Sequence, residues 1–362
     1  MSSYLPDAAI DTRFFPSCYH TGRNAWLAEV GEGASTLAFA CQGVGPEGED
    51  LCTDTAWLGA ADARNVVVLI GGTHGVEGLV GTAVQRDVLR LLAAGHWQLP
   101  PDTALLLIHA LTPWGYAWLR RCDADGVDLN RNIVDFSQPL PENTAYESLR
   151  PALLLTDVQQ RQAAFAAFAG QYGRVALEQA ISGGQYTDPS GPFYGGVAPA
   201  HGRKVVEELI SRYALGQRNV AVVDLHSGLG SFGYGEIICD HQPDSPATAL
   251  ARHWYGESVM LPLLGTSSSV PKQGLLDYAW HAVMNPRSCY ITLEFGSYPT
   301  EQLFEVLLRD HQLWAADHNA AARKAHSQLM RQHFCPDDQS WRELVLFRAR
   351  QVIGQALHGV SA

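Results

Sequence analysis

The sequence predicts an α/β protein, a mixed sheet covered by helices. Three observations carry this. Asn65–Ile70, Thr103–His109 and Val220–His226 are short, almost wholly apolar runs, as expected of strands buried on both faces. The stretch Leu79–Ala93 between the first two has apolar residues at helical spacing, which gives the strand–helix–strand order of a βαβ unit. Polar ends follow two of these runs, Thr73-His74-Gly75-Val76-Glu77 and His226-Ser227-Gly228. The carboxyl edge of such a sheet is where α/β proteins place their chemistry.

Taken in order, residues 3–34 mix aromatics with a helix-like stretch, Thr21–Gly31. Thr36–Cys41 and Leu51–Trp57 flank the Gly/Pro/Glu-rich Gly43–Asp50 and read as a β-hairpin with a surface turn. After Thr103–His109, Leu111–Phe136 is polar, aromatic and without periodicity; long loops of this kind in compact proteins tend to be functional. Ala145–Tyr172 and Arg174–Ser182 are alanine-rich helical patterns, and Gly183–Pro199 is a second aromatic loop. His201–Leu215 reads as a helix, Gly235–Cys239 as a strand and Ala247–Met260 as a helix. Gly265–Gly274 is a Gly/Ser/Pro loop and Cys289–Phe295 a further strand. Glu301–Arg331 is one long amphipathic helix, with a last helix over Trp341–Ala356. No repeat or linker divides the chain, so one domain over residues 1–362 is expected.

Composition narrows the function. Apolar residues make up 46% and charged residues 17%, enough for a large core. A net charge of −12 argues against nucleic-acid binding, which needs a basic face. Seven scattered cysteines without a CxxC pair fit reduced thiols. Met1–Ala9 lacks the features of a secretory signal, and no apolar run is long enough to span a bilayer. These features predict a cytoplasmic protein with no membrane partner.

Four groups of residues carry chemistry. His74 and Glu77, three apart after a buried strand and among glycines, are both metal-ligand types. The ordinary alternative is a histidine bonded at a turn and a glutamate in a helix's first turn, where the macrodipole favours it. His226, at a second strand end, would complete a set of three ligands with a position left for water. Asp224 precedes it by two, as support for the imidazole or as a buried acceptor. In Gly126-Val127-Asp128-Leu129-Asn130-Arg131-Asn132, an arginine and an asparagine side by side suit a carboxylate. Glu294 ends the otherwise apolar strand Tyr290–Phe295, where a carboxylate is expensive to bury unless it serves a metal-held water or a cation. That fits a general base.

This set resembles the zinc carboxypeptidase superfamily (peptidase family M14). Trp118-Leu119-Arg120-Arg121 leading into Val127–Asn132, with Gly184-Gln185-Tyr186 and Phe193-Tyr194-Gly195-Gly196, is similar to its DUF2817 subfamily; the likeness covers about residues 60–300. The resemblance implies a three-layer αβα sandwich around a mixed, mostly parallel, twisted sheet. It implies one zinc ion per chain, held by His74, Glu77 and His226, with Asp128 supporting His74 and Glu294 activating the water. It further implies that Asn130 and Arg131 clamp the substrate's terminal carboxylate. Arg121, preferred over Arg120, polarises the scissile carbonyl, and Tyr194 or Tyr278 stands for the family's mobile tyrosine. The expected activity is carboxypeptidase-like cleavage of an amide next to a free carboxylate in a small peptide. The alternatives are an N-acyl amino acid deacylase of the aspartoacylase/desuccinylase type and a relative that binds zinc or ligand without turnover. The deacylase relatives add a C-terminal β-rich domain, whereas everything after Phe295 here reads as helix.

Overall fold

The computed structural model describes residues 8–316 and 320–362. Eight strands form one sheet: β1 (Ser35–Val44), β2 (Asp50–Leu58), β3 (Asn65–Gly71), β4 (Thr103–His109), β5 (Asn219–Ser227), β6 (Gly235–Ile238), β7 (Val259–Met260) and β8 (Cys289–Phe295), in the order β1-β2-β4-β3-β5-β8-β6-β7. The central β4, β3, β5 and β8 run parallel. The hairpin β1–β2 joins one side antiparallel to β4, and β6 joins the other antiparallel to β8.

Among the described residues, twelve α-helices accompany the sheet: α1 (Tyr19–Val30), α2 (Gly78–Ala93), α3 (Pro113–Ala117), α4 (Thr144–Leu153), α5 (Val158–Tyr172), α6 (Arg174–Ser182), α7 (His201–Arg212), α8 (Pro246–Tyr255), α9 (Asp277–His281), α10 (Thr300–Ala315), α11 (Ala320–Phe334) and α12 (Gln339–Ser361). Alternate residues of the central strands enter opposite cores, which is why those runs are apolar throughout. Val67, Leu69, Leu105, Leu107, Val223 and Leu225 pack with residues of α1, α2, α8 and α12. Val66, Val68, Ile70, Leu106, Ile108 and Val222 pack instead against Val205, Val206 and Leu209 of α7 and Trp280 of α9. The result is the expected αβα sandwich.

Four expectations need correction. The Ala145–Tyr172 pattern is two helices, because Asp157 stops the run and caps α5 by accepting the Gln160 N–H at 3.0 Å. Gly256, at φ +86°, ends α8 early, and Val259–Met260 becomes strand. The Glu301–Arg331 helix is two, α10 leaving helical geometry at Ala316; residues 317–319 of that stretch, like residues 1–7 of Met1–Ala9, lie outside the described residues. The short α3 and α9 fall in segments read as loop or left unassigned.

One buried ion pair ties the last helix to the second. Arg350 on α12 donates from Nε and Nη2 to the two oxygens of Asp87 on α2, each at 2.7 Å, and also to the carbonyls of Ala8 and Ala9. Arg350→Met leaves Asp87 buried without its cation. A loss of about 3–5 kcal/mol is expected in the unfolding free energy measured by chemical denaturation, against under ~0.5 for a surface arginine such as Arg13→Met.

Candidate metal centre and active site

The first ligand turn is built by close backbone contact. The chain leaves β3 at Gly72 with φ +65°, and a Cβ on Gly75 would collide with the Gly115 backbone. Gly75 N–H and Val76 N–H donate to the carbonyls of Arg121 and Arg120 at 3.0 and 2.8 Å. The turn carrying His74 and Glu77 is thereby bolted to the loop carrying the two arginines. In the sheet, His226 on β5 is the direct register partner of Glu294 on β8, so the third ligand and the candidate base emerge side by side.

His74, Glu77 and His226 are all buried, with one ligand atom of each within 4.8 Å of the others. His74 Nδ1 lies 2.9 Å from Glu77 Oε1, and His226 Nδ1 lies 3.2 Å from both Glu77 Oε2 and His74 Nδ1. His226 Nε2 sits 2.8 Å from Asp224 Oδ2, and Asp224 also accepts from Thr73 Oγ1 at 2.8 Å and Tyr290 Oη at 2.6 Å. With its proton on Nε2, His226 turns the Nδ1 lone pair toward Glu77 and His74. Two acceptors and an imidazole nitrogen crowded this closely need a proton or a metal cation between them. Burial opposes the charged imidazole, yet Asp224 and Glu77 outweigh it and hold the pKa of His226 well above its ordinary value. Burial likewise opposes the ionised Glu77, and His74 and His226 win, holding it well below the usual carboxylate range. The donor set, two imidazoles and a carboxylate with an outer carboxylate behind, fits zinc.

Asp224 contacts the metal-candidate set only by way of His226, and Tyr290 only by way of Asp224. Asp224→Asn is expected to weaken zinc binding by about 10–100-fold in a chelator competition while His74, Glu77 and His226 stay in place. An unchanged affinity would mean that Asp224 is only a buried acceptor.

Glu294 accepts the Leu229 N–H at 3.0 Å and lines the same cavity as the three ligands. Burial first, then the neighbouring Glu77, raise its pKa, with His226, the Leu229 N–H and Arg121 pulling the other way; it is pushed up to about 8.

Of the two competing arginines, Arg121 faces this cavity. Its Nε donates to Asp128 Oδ2 at 2.9 Å, and its Nη2 lies 2.6 Å from His74 Nε2. Arg120 turns away to Asp310 on α10 (2.7 Å) and the Trp314 ring, helped by Leu119 in the left-handed region at φ +54°. Asp128 stands 3.4 Å from His74 Nε2 and caps the turn Leu129–Arg131 by accepting the Asn130 N–H. Despite burial, Arg121 and His74 hold the pKa of Asp128 well down.

Asn130 and Arg131 both line the cavity. Asn130 Oδ1 accepts the Leu276 N–H at 2.7 Å, and its Nδ2 has no acceptor among the described residues. Arg131 is fully buried; Nε and Nη2 donate to the Ser182 carbonyl and Nη1 to that of Asn130. Of the five guanidinium N–H groups, one on Nη1 and one on Nη2 have no partner among the described residues. Burial draws its pKa down to about 10, so it remains a cation at neutral pH. Phe193 lies beneath both guanidinium groups, 5.2 Å from Arg121 and 5.5 Å from Arg131.

Neither tyrosine singled out from the sequence lines the cavity. Tyr194 contributes its carbonyl to Asp128 N–H at 2.8 Å, and Tyr278 is half-exposed with its hydroxyl on the Lys272 carbonyl. The cavity holds three ionisable groups that sequence reasoning missed: Glu178 on α6, Asp240 just past β6 and Lys272 in the 265–274 loop. Lys272 is one of only three lysines in the chain, and its place in a Gly/Ser/Pro loop was the available signal. Tyr290 had a signal too, sharing the alternating face of Thr292 and Glu294.

Solved structures similar to this chain include carboxypeptidase A from Helicoverpa armigera, at 13% identity over 84% of this chain and 69% of that one, TM-score 0.46. The succinylglutamate desuccinylase from Chromobacterium violaceum is 16% identical over 88% and 74%, TM-score 0.38. Thrombin activatable fibrinolysis inhibitor is 12% identical over 86% and 73%, TM-score 0.45. No curated protein matches the sequence. The family model described as "Protein of unknown function (DUF2817)" matches residues 15–348. That span takes in all eight strands and every cavity residue named above, so the chain belongs to the DUF2817 family.

Proposed function

We propose that this protein is a zinc-dependent hydrolase that cleaves an amide next to a free carboxylate, acting on small peptides in the manner of a carboxypeptidase. The observation that carries this reading is the convergence of the buried His74–Glu77–His226 cluster with Glu294 and Arg131 in one cavity. When bound there, zinc supplies a Lewis acid that lowers the pKa of water toward ~7. Glu294 takes the proton of the attacking water and delivers it to the leaving nitrogen. A carboxylate with high proton affinity suits both halves of that transfer. Arg121, fixed by Asp128, sets positive charge beside the ligands for the oxygen on which negative charge develops. Asn130 Nδ2 and the free Arg131 donors hold the terminal carboxylate and so orient the amide.

One feature favours a peptide over an N-acyl amino acid. The cavity itself is small, about 80 Å³, but shares Glu178, Thr300 and Phe304 with a wider groove of about 830 Å³ along α5, α6 and α10, a path for the remaining residues. The test is a screen of zinc-loaded protein against dipeptides and N-acyl amino acids, reading release of the free amino acid. Turnover of dipeptides is expected. Protein that holds stoichiometric zinc and turns over neither class would overturn the proposal.

A further inference from the structure

The wall of the cavity beyond the metal ligands is charged in a way that the hydrolysis does not use. Asp240 follows β6, Glu178 lies on α6 and Lys272 comes from the 265–274 loop, so three separate elements send ionisable groups to one place. Lys272 Nζ spends two donors on Ser269 Oγ and on the Val270 carbonyl (2.9 Å). Neither carboxylate receives a hydrogen bond among the described residues. Burial raises the pKa of both, and only charges oppose it: Lys272 and Arg131 for Asp240, Lys272 and Arg174 for Glu178, with Glu301 adding to the rise at Glu178. Partly buried carboxylates without donors are expensive, and a ligand that brings a donor relieves them.

A charge count points the same way. The metal ligands and Glu294 serve the ion, and Arg121 is matched by Asp128. That leaves Arg131 and Lys272 facing Asp240 and Glu178. A substrate carboxylate seated on Arg131 makes three anions against two cations, and one further cation restores balance.

We propose that Asp240 and Glu178 form a recognition site for an amine on the substrate's carboxyl-terminal residue, so that the enzyme selects a basic terminal side chain such as that of lysine. The assignment rests on the reading of Arg131 as the carboxylate clamp. Lys272 offsets the charge of the two carboxylates in the empty site. An acidic terminal residue, by contrast, would find only the one remaining Lys272 donor and two like charges.

The test uses zinc-loaded protein and two readouts. Binding of free L-lysine, L-norleucine and L-glutamate is measured by calorimetry, and kcat/KM is measured for dipeptides ending in the same three residues. Lysine is expected to bind about 10–100-fold tighter than norleucine, the range of a charge-assisted hydrogen bond. Asp240→Asn and Glu178→Gln should each bring the lysine-to-norleucine ratio toward one. Lysine bound no tighter than norleucine, including no binding of either, overturns the assignment. Preference for glutamate also overturns it and passes specificity to Lys272. A lysine preference without hydrolysis of any substrate would fell the hydrolase reading and leave this site standing. Hydrolysis that ignores the terminal side chain would do the reverse.

Discussion

Replacing Glu294 with glutamine is expected to lower kcat by about 10²–10⁴-fold while zinc stays bound at one ion per chain. The substitution keeps size and one hydrogen-bond acceptor for the Leu229 N–H, so the strand end is undisturbed. What disappears is the group that carries a proton from water to the leaving nitrogen. The glutamine variant should also bind substrate with little change in Kd, because the proposed mechanism gives the carboxylate to Asn130 and Arg131 and not to Glu294. Turnover equal to the parent protein would remove Glu294 from the chemistry. A parent protein that is itself inactive yet binds zinc and product would be the binding-only relative.

The second large effect belongs to the metal. His226→Ala removes one of the three proposed ligands outright. Loss of an outer partner alone costs about 10–100-fold in metal affinity, so loss of the ligand should exceed about 10²-fold and abolish turnover. The same site predicts the pH dependence of metal binding. In metal-free protein the pKa of Glu294 is raised to about 8, and that of His226 is also raised. A group with a raised folded-state pKa stabilises the fold below its unfolded pKa, and that contribution fades as pH rises through the folded value. Metal-free protein should therefore lose stability from these two groups as pH climbs from ~4.5 through about 8. Glu77 and Asp128, with lowered values, work in the opposite sense and lose their contribution only on acidification. Zinc takes the place of the protons, so its binding strengthens as pH rises and releases protons. The Tm difference between zinc-loaded and metal-free protein should widen from pH 5 to pH 8, and should vanish in His226→Ala. A gap that stays constant with pH would contradict the shared-site account.

The central strands and helix α2 were legible because both faces of the sheet are buried, which leaves an uninterrupted apolar run that polar residues bound sharply. Thr103–His109 and Cys289–Phe295 were readable to the residue. The breaks inside alanine-rich helices were not, since Asp157 is polar in a stretch that already alternates polar and apolar residues. His74, Glu77, His226 and Glu294 stood out because each is a polar group at the end of an apolar strand, and the sheet register then brings them together. Arg120 and Arg121 are chemically identical in sequence, and only the backbone turn at Leu119 separates their directions. Asp240, Glu178 and Lys272 lie in three distant segments with no shared pattern, so their meeting depends on tertiary contact alone.

The pairing of Arg120 with Asp310 and of Arg121 with the metal turn has a consequence for how the chain tolerates changes in length. Adjacent residues serve opposite sides of the loop, one gripping α10 beneath Trp314, the other facing the cavity. Inserting a single residue between Gly115 and Arg120 would bring Leu119 to the position that grips α10, and deleting one would bring Cys122 to the position that faces the cavity, so either change costs one of the two arginine contacts. The Gly45–Gly48 turn of the hairpin carries no such phase and can accept extra residues, so insertions should be tolerated there and excluded a short distance downstream.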